Sequence, residues 1–119
     1  MKDFKDMAKL LSAIKVSEDK PVFNVALVDE RVLKMSVKER DKYAYRLFKE
    51  KLIEGLYIID DIDNQTEPLI IWERSKPRIT IKGLEFMQNN DSMRKAVQEL
   101  KNEGLTIAAT LLSNAIQAL

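Results

Sequence analysis

Residues 76–91, KPRITIKGLEFMQNND, pass from a β-branched run straight into an amphipathic helical pattern, with Gly83 inside the first turn of that helix. No linker separates the two. A strand and a helix joined in this way must pack on a common neighbour, and a glycine near a helix start serves either a ligand's approach to the backbone or the close packing of two protein segments. A phosphate site would need several free backbone donors backed by serine, threonine or glycine. Only Thr80 and Gly83 qualify, so close packing is the expected role.

The segments before this junction alternate between helical and hairpin patterns. DFKDMAKLLSAIK spaces Phe4, Met7, Ala8, Leu11 and Ile14 along one stripe of a core helix. A polar break from Ser17 to Pro21 ends it, since proline cannot lie in a helix interior. NVALVDERVLKM suits a second, shorter helix capped by Asn24, with Val25, Leu27, Val28, Val32 and Leu33 as buried candidates, although VFNVALV equally suits a strand. SVKE then matches a capping box, in which the Ser36 hydroxyl and the Glu39 carboxylate satisfy opposite backbone donors. The third helix is expected to run to Gly55, with Val37, Ala44, Phe48 and Leu52 within about 80° of one another. LYIIDDIDNQTEPLIIWERSKPRIT reads as a hairpin with a polar loop around Asp63, Asn64 and Pro68.

After the junction, Ile81, Leu84 and Met87 line one side of a helix capped by Thr80. A fifth helix starts at Asp91 or Ser92, buries Met93, Ala96, Val97 and Leu100, and stops at Gly104. LTIAATLLSNAIQAL closes the chain as a further helix. The expected fold class is therefore α+β: a winged helix, with a three-helix helix-turn-helix core and a β-hairpin wing over residues 1–90, and additional C-terminal helices over 91–119.

With 119 residues, a net charge of +1, and neither cysteine nor histidine, the chain has no disulfide, no thiol or imidazole catalysis and no thiolate metal site. Its carboxylates, lysines and tyrosines lie on charged faces without a phosphate-binding loop, GxGxxG or GxSxG. They read as solvated surface charge, and the chain is expected to be no enzyme and to hold no metal or cofactor. No apolar run spans a bilayer and MKDFKDMAKLL lacks the form of a signal peptide, so no membrane partner and a cytoplasmic address are expected.

The block ITIKGLEFMQNNDSMRKA, residues 79–96, resembles the strand-into-helix signature of the YjcQ-like family of small bacterial and phage winged-helix proteins. DFKDMAKLLSAI is similar to that family's opening helix, and LFKEKLIEGLYI to the end of its third helix and first wing strand. The resemblance implies the winged-helix fold and a phage or prophage context. It carries over no catalytic or ligand residue, and the tail from Gly104 onward is longer and more apolar than the family's usual ending.

A winged helix usually reads DNA with its third helix and touches phosphates with the wing. Measured from Val37, Lys38, Lys49, Lys42 and Arg46 fall at about 100°, 120°, 140° and 180°, which makes a basic stripe on the face away from the core, with Tyr43 flanking it. From Arg31 to Lys51 there are eight basic and three acidic residues. Against this stand Glu39 and Glu50 beside the stripe, and Asp60, Asp61, Asp63 and Glu67 around the wing turn, where carboxylates would repel a duplex. Arg74, Lys76 and Arg78 at the hairpin base offset them. Trp72, on the second wing strand, is expected to cover the core edge. The expected function is a small DNA-binding regulator using Lys38, Lys42, Tyr43, Arg46, Lys49, Lys76 and Arg78 on double-stranded DNA. The alternative is a protein-interaction module that meets a partner with the acidic wing and the apolar tail.

That tail has no charged side chain beyond Gly104. Ile107, Leu111, Leu112, Ile116 and Leu119 lie on a wide apolar stripe that either folds back on its own domain or pairs with a second copy. A homodimer is the preferred expectation.

Overall fold

Helix α1 (Lys2–Ser17) is the element on which most others pack. The structure, a computed structural model, describes residues 2–60, 68–104 and 106–119. After α1 come a 3-10 turn (Val25–Val28), a one-turn α2 (Glu30–Leu33) and α3 (Val37–Lys49). Four two-residue strands follow: β1 (Ile53–Glu54), β2 (Ile58–Ile59), β3 (Leu69–Ile70) and β4 (Arg78–Ile79). The chain closes with α4 (Ile81–Asn89), α5 (Asp91–Asn102) and α6 (Thr106–Gln117). The fold is α+β.

Burial on α1 extends well past the stripe that its spacing marks. Leu10 and Ala13 are buried alongside Met7, Ala8, Leu11 and Ile14, because α3, α5, α6 and β4 all contact this helix. The expected second helix is split in two. Asn24 does cap it, its Oδ1 accepting from the Ala26 N–H at 3.0 Å, but Asp29 adopts an extended backbone and starts α2 afresh by accepting from the Arg31 N–H at 2.8 Å. The split points Val28 and Leu33 inward, and leaves Val25 and Val32 exposed.

The capping box at the start of α3 is formed. Ser36 Oγ accepts from the Glu39 N–H at 3.1 Å, and Glu39 Oε1 accepts from the Ser36 N–H at 3.4 Å. The far end differs from expectation. The helix stops at Lys49, and Lys51 (φ 63°) rather than Gly55 makes the left-handed turn just past its end, with the Leu52 N–H returning to the Leu47 carbonyl at 2.9 Å. The buried face also differs from the expected one: Tyr43, Ala44 and Leu47 are buried, Phe48 is half-buried and Val37 is exposed.

The strands form one antiparallel excursion in two pieces. Ile53 and Glu54 face Ile79 and Arg78, and Ile58 and Ile59 face Ile70 and Leu69. Residues 55–57 connect the pieces on the outgoing arm and residues 71–77 on the return, so the return carries four more. The excess is taken up by a 3-10 turn (Trp72–Arg74). Gly55 (φ +87°) lies against the returning arm, and a Cβ there would lie 2.1 Å from the Lys76 carbonyl oxygen.

Close packing also explains the glycine at the strand-to-helix junction. A Cβ on Gly83 would lie 2.2 Å from the Leu52 carbonyl oxygen. Thr80 fastens the same place: its N–H donates to the Leu52 carbonyl at 3.1 Å, its hydroxyl donates to the Lys51 carbonyl at 2.7 Å, and its Oγ1 accepts from the Gly83 N–H at 2.9 Å. The end of α3, the base of the ribbon and the start of α4 thus meet in one backbone knot. Met93, Ala96, Val97 and Leu100 of α5 and Ala109, Leu112 and Ile116 of α6 are buried in the core that they share with α1. No helix among the described residues is long and apolar enough to cross a membrane.

Candidate nucleic-acid interface

The basic stripe of α3 is present as a surface. Lys38, Lys42, Arg46 and Lys49 are exposed, and none is in an ion pair among the described residues. Lys49 rests its ammonium 5.8 Å from the centre of the Tyr45 ring. Arg46 edges a cleft of about 400 Å³ floored by Phe4, Met7, Leu47 and Phe86, so it faces α1 and α4 more than the lysines do.

Of the acidic residues near the stripe, Glu39 and Asp41 have partners of their own. Glu39 accepts from Lys2 Nζ at 2.7 Å, and that bond, followed by the Ser36 backbone bond, holds its carboxyl below the usual carboxylate range. Lys2 also reaches Asp6 at 3.1 Å, and the Glu39 and Asp6 bonds together push its ammonium well above the ordinary lysine value. Asp41 is paired with Arg40 Nε at 2.8 Å and accepts the Trp72 indole N–H at 2.9 Å. Glu39 and Asp41 are therefore already balanced by cations, whereas the Glu50 carboxylate has no partner among the described residues.

Tyr43 does not belong to this surface. It is buried, and its hydroxyl donates to Asp3 Oδ1 at 2.8 Å. Burial first, and the Asp3 bond second, push the phenol up to about 12. The side chain points inward because the face of α3 that meets α1 is centred on Tyr43, Ala44 and Leu47.

Trp72 is buried, as expected, and is the hub of a small network. Its ring lies 5.8 Å from that of Phe23, with the Arg40 guanidinium 5.2 Å from its centre, and Arg40 also donates to the Val28 carbonyl at 3.0 Å. This network ties the returning arm of the ribbon to α3 and to the turn before α2. Arg40, counted in the basic window, is occupied here.

Lys76 and Arg78 are exposed, on the ribbon face opposite buried Pro77 and Ile79. They share it with Glu54, which stands directly across from Arg78. Of the carboxylates expected around a wing turn, Asp60 is exposed; Asp61, Asp63 and Glu67 lie outside the described residues. Two further exposed cations, Lys34 (φ 56°) and Lys51 (φ 63°), flank α3 in left-handed conformations. Lys34 was legible in advance: a capping box at Ser36 leaves only two residues to turn the chain after Leu33.

The expected oligomer surface is divided. Leu112 and Ile116 are buried within their own domain, which corrects their assignment to an interface: α6 folds back onto α1, α4 and α5. Leu111 and Leu119 remain exposed, and the Ile107 side chain lies outside the described residues.

Among protein families, the model described as YjcQ protein matches residues 7–103. No curated protein and no solved structure matches the chain. The match runs from within α1 to the end of α5, including the backbone knot around Gly83, and on that extent the chain belongs to the YjcQ family.

Proposed function

We propose that the protein is a small winged-helix DNA-binding regulator that presents α3 to the duplex and acts by binding alone, without catalysing a reaction. The element order supports the reading. Helices α1, α2 and α3 followed by an antiparallel ribbon repeat the winged-helix sequence, with a three-residue turn (34–36) before the recognition helix. The observation that carries it is the stripe itself: four exposed cations on α3, unpaired among the described residues, beside a glutamate already neutralised by Lys2. Phosphate neutralisation by such cations supplies most sequence-independent affinity and releases counterions.

Fluorescence anisotropy with a labelled random duplex at low salt tests the reading. The affinity should fall as salt rises, and Lys42→Ala/Arg46→Ala should weaken binding and flatten the slope of log K against log salt by about 2, one per lost phosphate contact. No binding at low salt would sink the proposal. A second reading, a protein-binding module, draws support from the ribbon, where Ile59 and Leu69 pair across the strands and are both exposed.

A further inference from the structure

A cavity of about 160 Å³ lies between α1, the α2 segment and α6. Ala13 and Val16 of α1, Leu27 and Leu33 of the second segment and Ala108 of α6 line it, and its lining is almost wholly carbon. Apart from Lys9, its polar side chain among the described residues is Ser12. That hydroxyl is buried and has no hydrogen-bond partner among the described residues. Helical serines commonly return their proton to a carbonyl one turn back. Ser17 of the same helix does so, donating to the Ala13 and Ile14 carbonyls at 3.1 and 3.2 Å, whereas Ser12 Oγ makes no such bond.

A lone buried hydroxyl in an apolar cavity is poorly served by water, which needs two to four polar partners. A charged occupant is no better served. The single charged residue in the lining is Lys9, whose ammonium is 3.6 Å from Asp6 and is spent there, leaving its carbon stem to the cavity. Val32, half exposed, marks the open side. We propose that this cavity is a binding site for a small neutral ligand, mostly apolar and carrying one hydrogen-bonding group that pairs with Ser12. A cavity of about 150 Å³ accommodates benzene, so the class is a ring or short chain of about six to eight non-hydrogen atoms, such as a phenol. DNA binding by α3 is not required for this site.

Titration of the full chain with phenol and with benzene, followed by ¹H–¹⁵N correlation spectra, tests the proposal. Saturable shifts are expected at the amides of Ser12, Ala13, Leu33 and Ala108, with phenol bound about five to ten times more tightly than benzene. Ser12→Ala should keep benzene binding and bring the two probes to within about twofold of each other. Ala108→Leu, checked for folding by far-UV circular dichroism, should fill the cavity from the opposite wall and remove both. The absence of saturable shifts near the solubility limit of the probes, shifts confined to other regions, or a phenol preference that survives Ser12→Ala would each overturn the proposal.

Discussion

At Gly83 two local rules oppose each other, and their magnitudes decide the outcome. Helix propensity alone favours alanine over glycine by about 1 kcal/mol. The Leu52 carbonyl, 2.2 Å from the position of an added Cβ, leaves no room for it. Overpacking against backbone costs about 1–3 kcal/mol, so Gly83→Ala should lower stability, and Gly83→Val should lower it further, as read by urea unfolding. Tyr43 gives a second residue-scale test. Its phenol titrates higher in the folded chain, about 12, than the ordinary value of 10.0, so folding favours the protonated form. The resulting stabilisation is complete below pH 10 and is lost as pH rises toward 12. Tyr43→Phe should cost about 1 kcal/mol at pH 7 through the lost Asp3 bond, and the difference from the parent should shrink and then reverse in alkaline urea titrations.

At the scale of elements, α6 shows how a helix can be legible while the surface that covers it stays open between two choices. Its apolar stripe is evident in the sequence, but periodicity alone gives the width of a stripe and not the surface that covers it. Leu112 lies in the core and Leu111, its neighbour, is exposed. Leu112→Asp should therefore destabilise the fold by about 4 kcal/mol or more, since it buries an unpaired charge, whereas Leu111→Asp should stay within about 0.5 kcal/mol. Equal effects of the two in urea titrations would contradict this packing. The end of α3 is a similar case. Gly55 is a suitable helix terminator by its chemistry, yet the Lys76 carbonyl claims it for the ribbon, and Lys51 bears the left-handed turn instead.

Across the whole molecule, α1 is shared between the side that holds α3 and the ribbon and the side that holds α5 and α6. Glu18 at its end accepts from the Ile79 N–H at 2.9 Å, and Lys5 near its start bonds Glu103 at 2.5 Å, which raises the lysine's pKa. A helix buried on several sides cannot keep one set of neighbours stably without the other. Removing residues 105–119 should lower the unfolding free energy by about 3 kcal/mol or more through the exposure of the faces now covered by Ala109, Leu112 and Ile116. The loss should also reach α3 and weaken protection of its amides in hydrogen exchange. Exchange confined to α5 would indicate that the two sides are independent.

Caps, turns and apolar spacing act within a few residues, and here they were readable from the chain alone. The Ser36–Glu39 box, the Asn24 and Thr80 caps, the inward face of α5 and the stop at Gly104 all depend on neighbours in sequence. The exposed cations of α3 belong to the same class, because a helix that buries Ala44 must turn Lys38 and Lys42 outward. Other features depend on which distant segment arrives. Tyr43 is inward because Asp3 and the core meet it, Leu112 is inward because α1 and α5 cover it, and Asp41 is held because the Trp72 indole N–H reaches it. Such contacts link residues tens of positions apart, and no local period encodes them. They arise when the backbone of Leu52 closes against Gly83 and brings the ribbon, α3 and α4 to one point around α1.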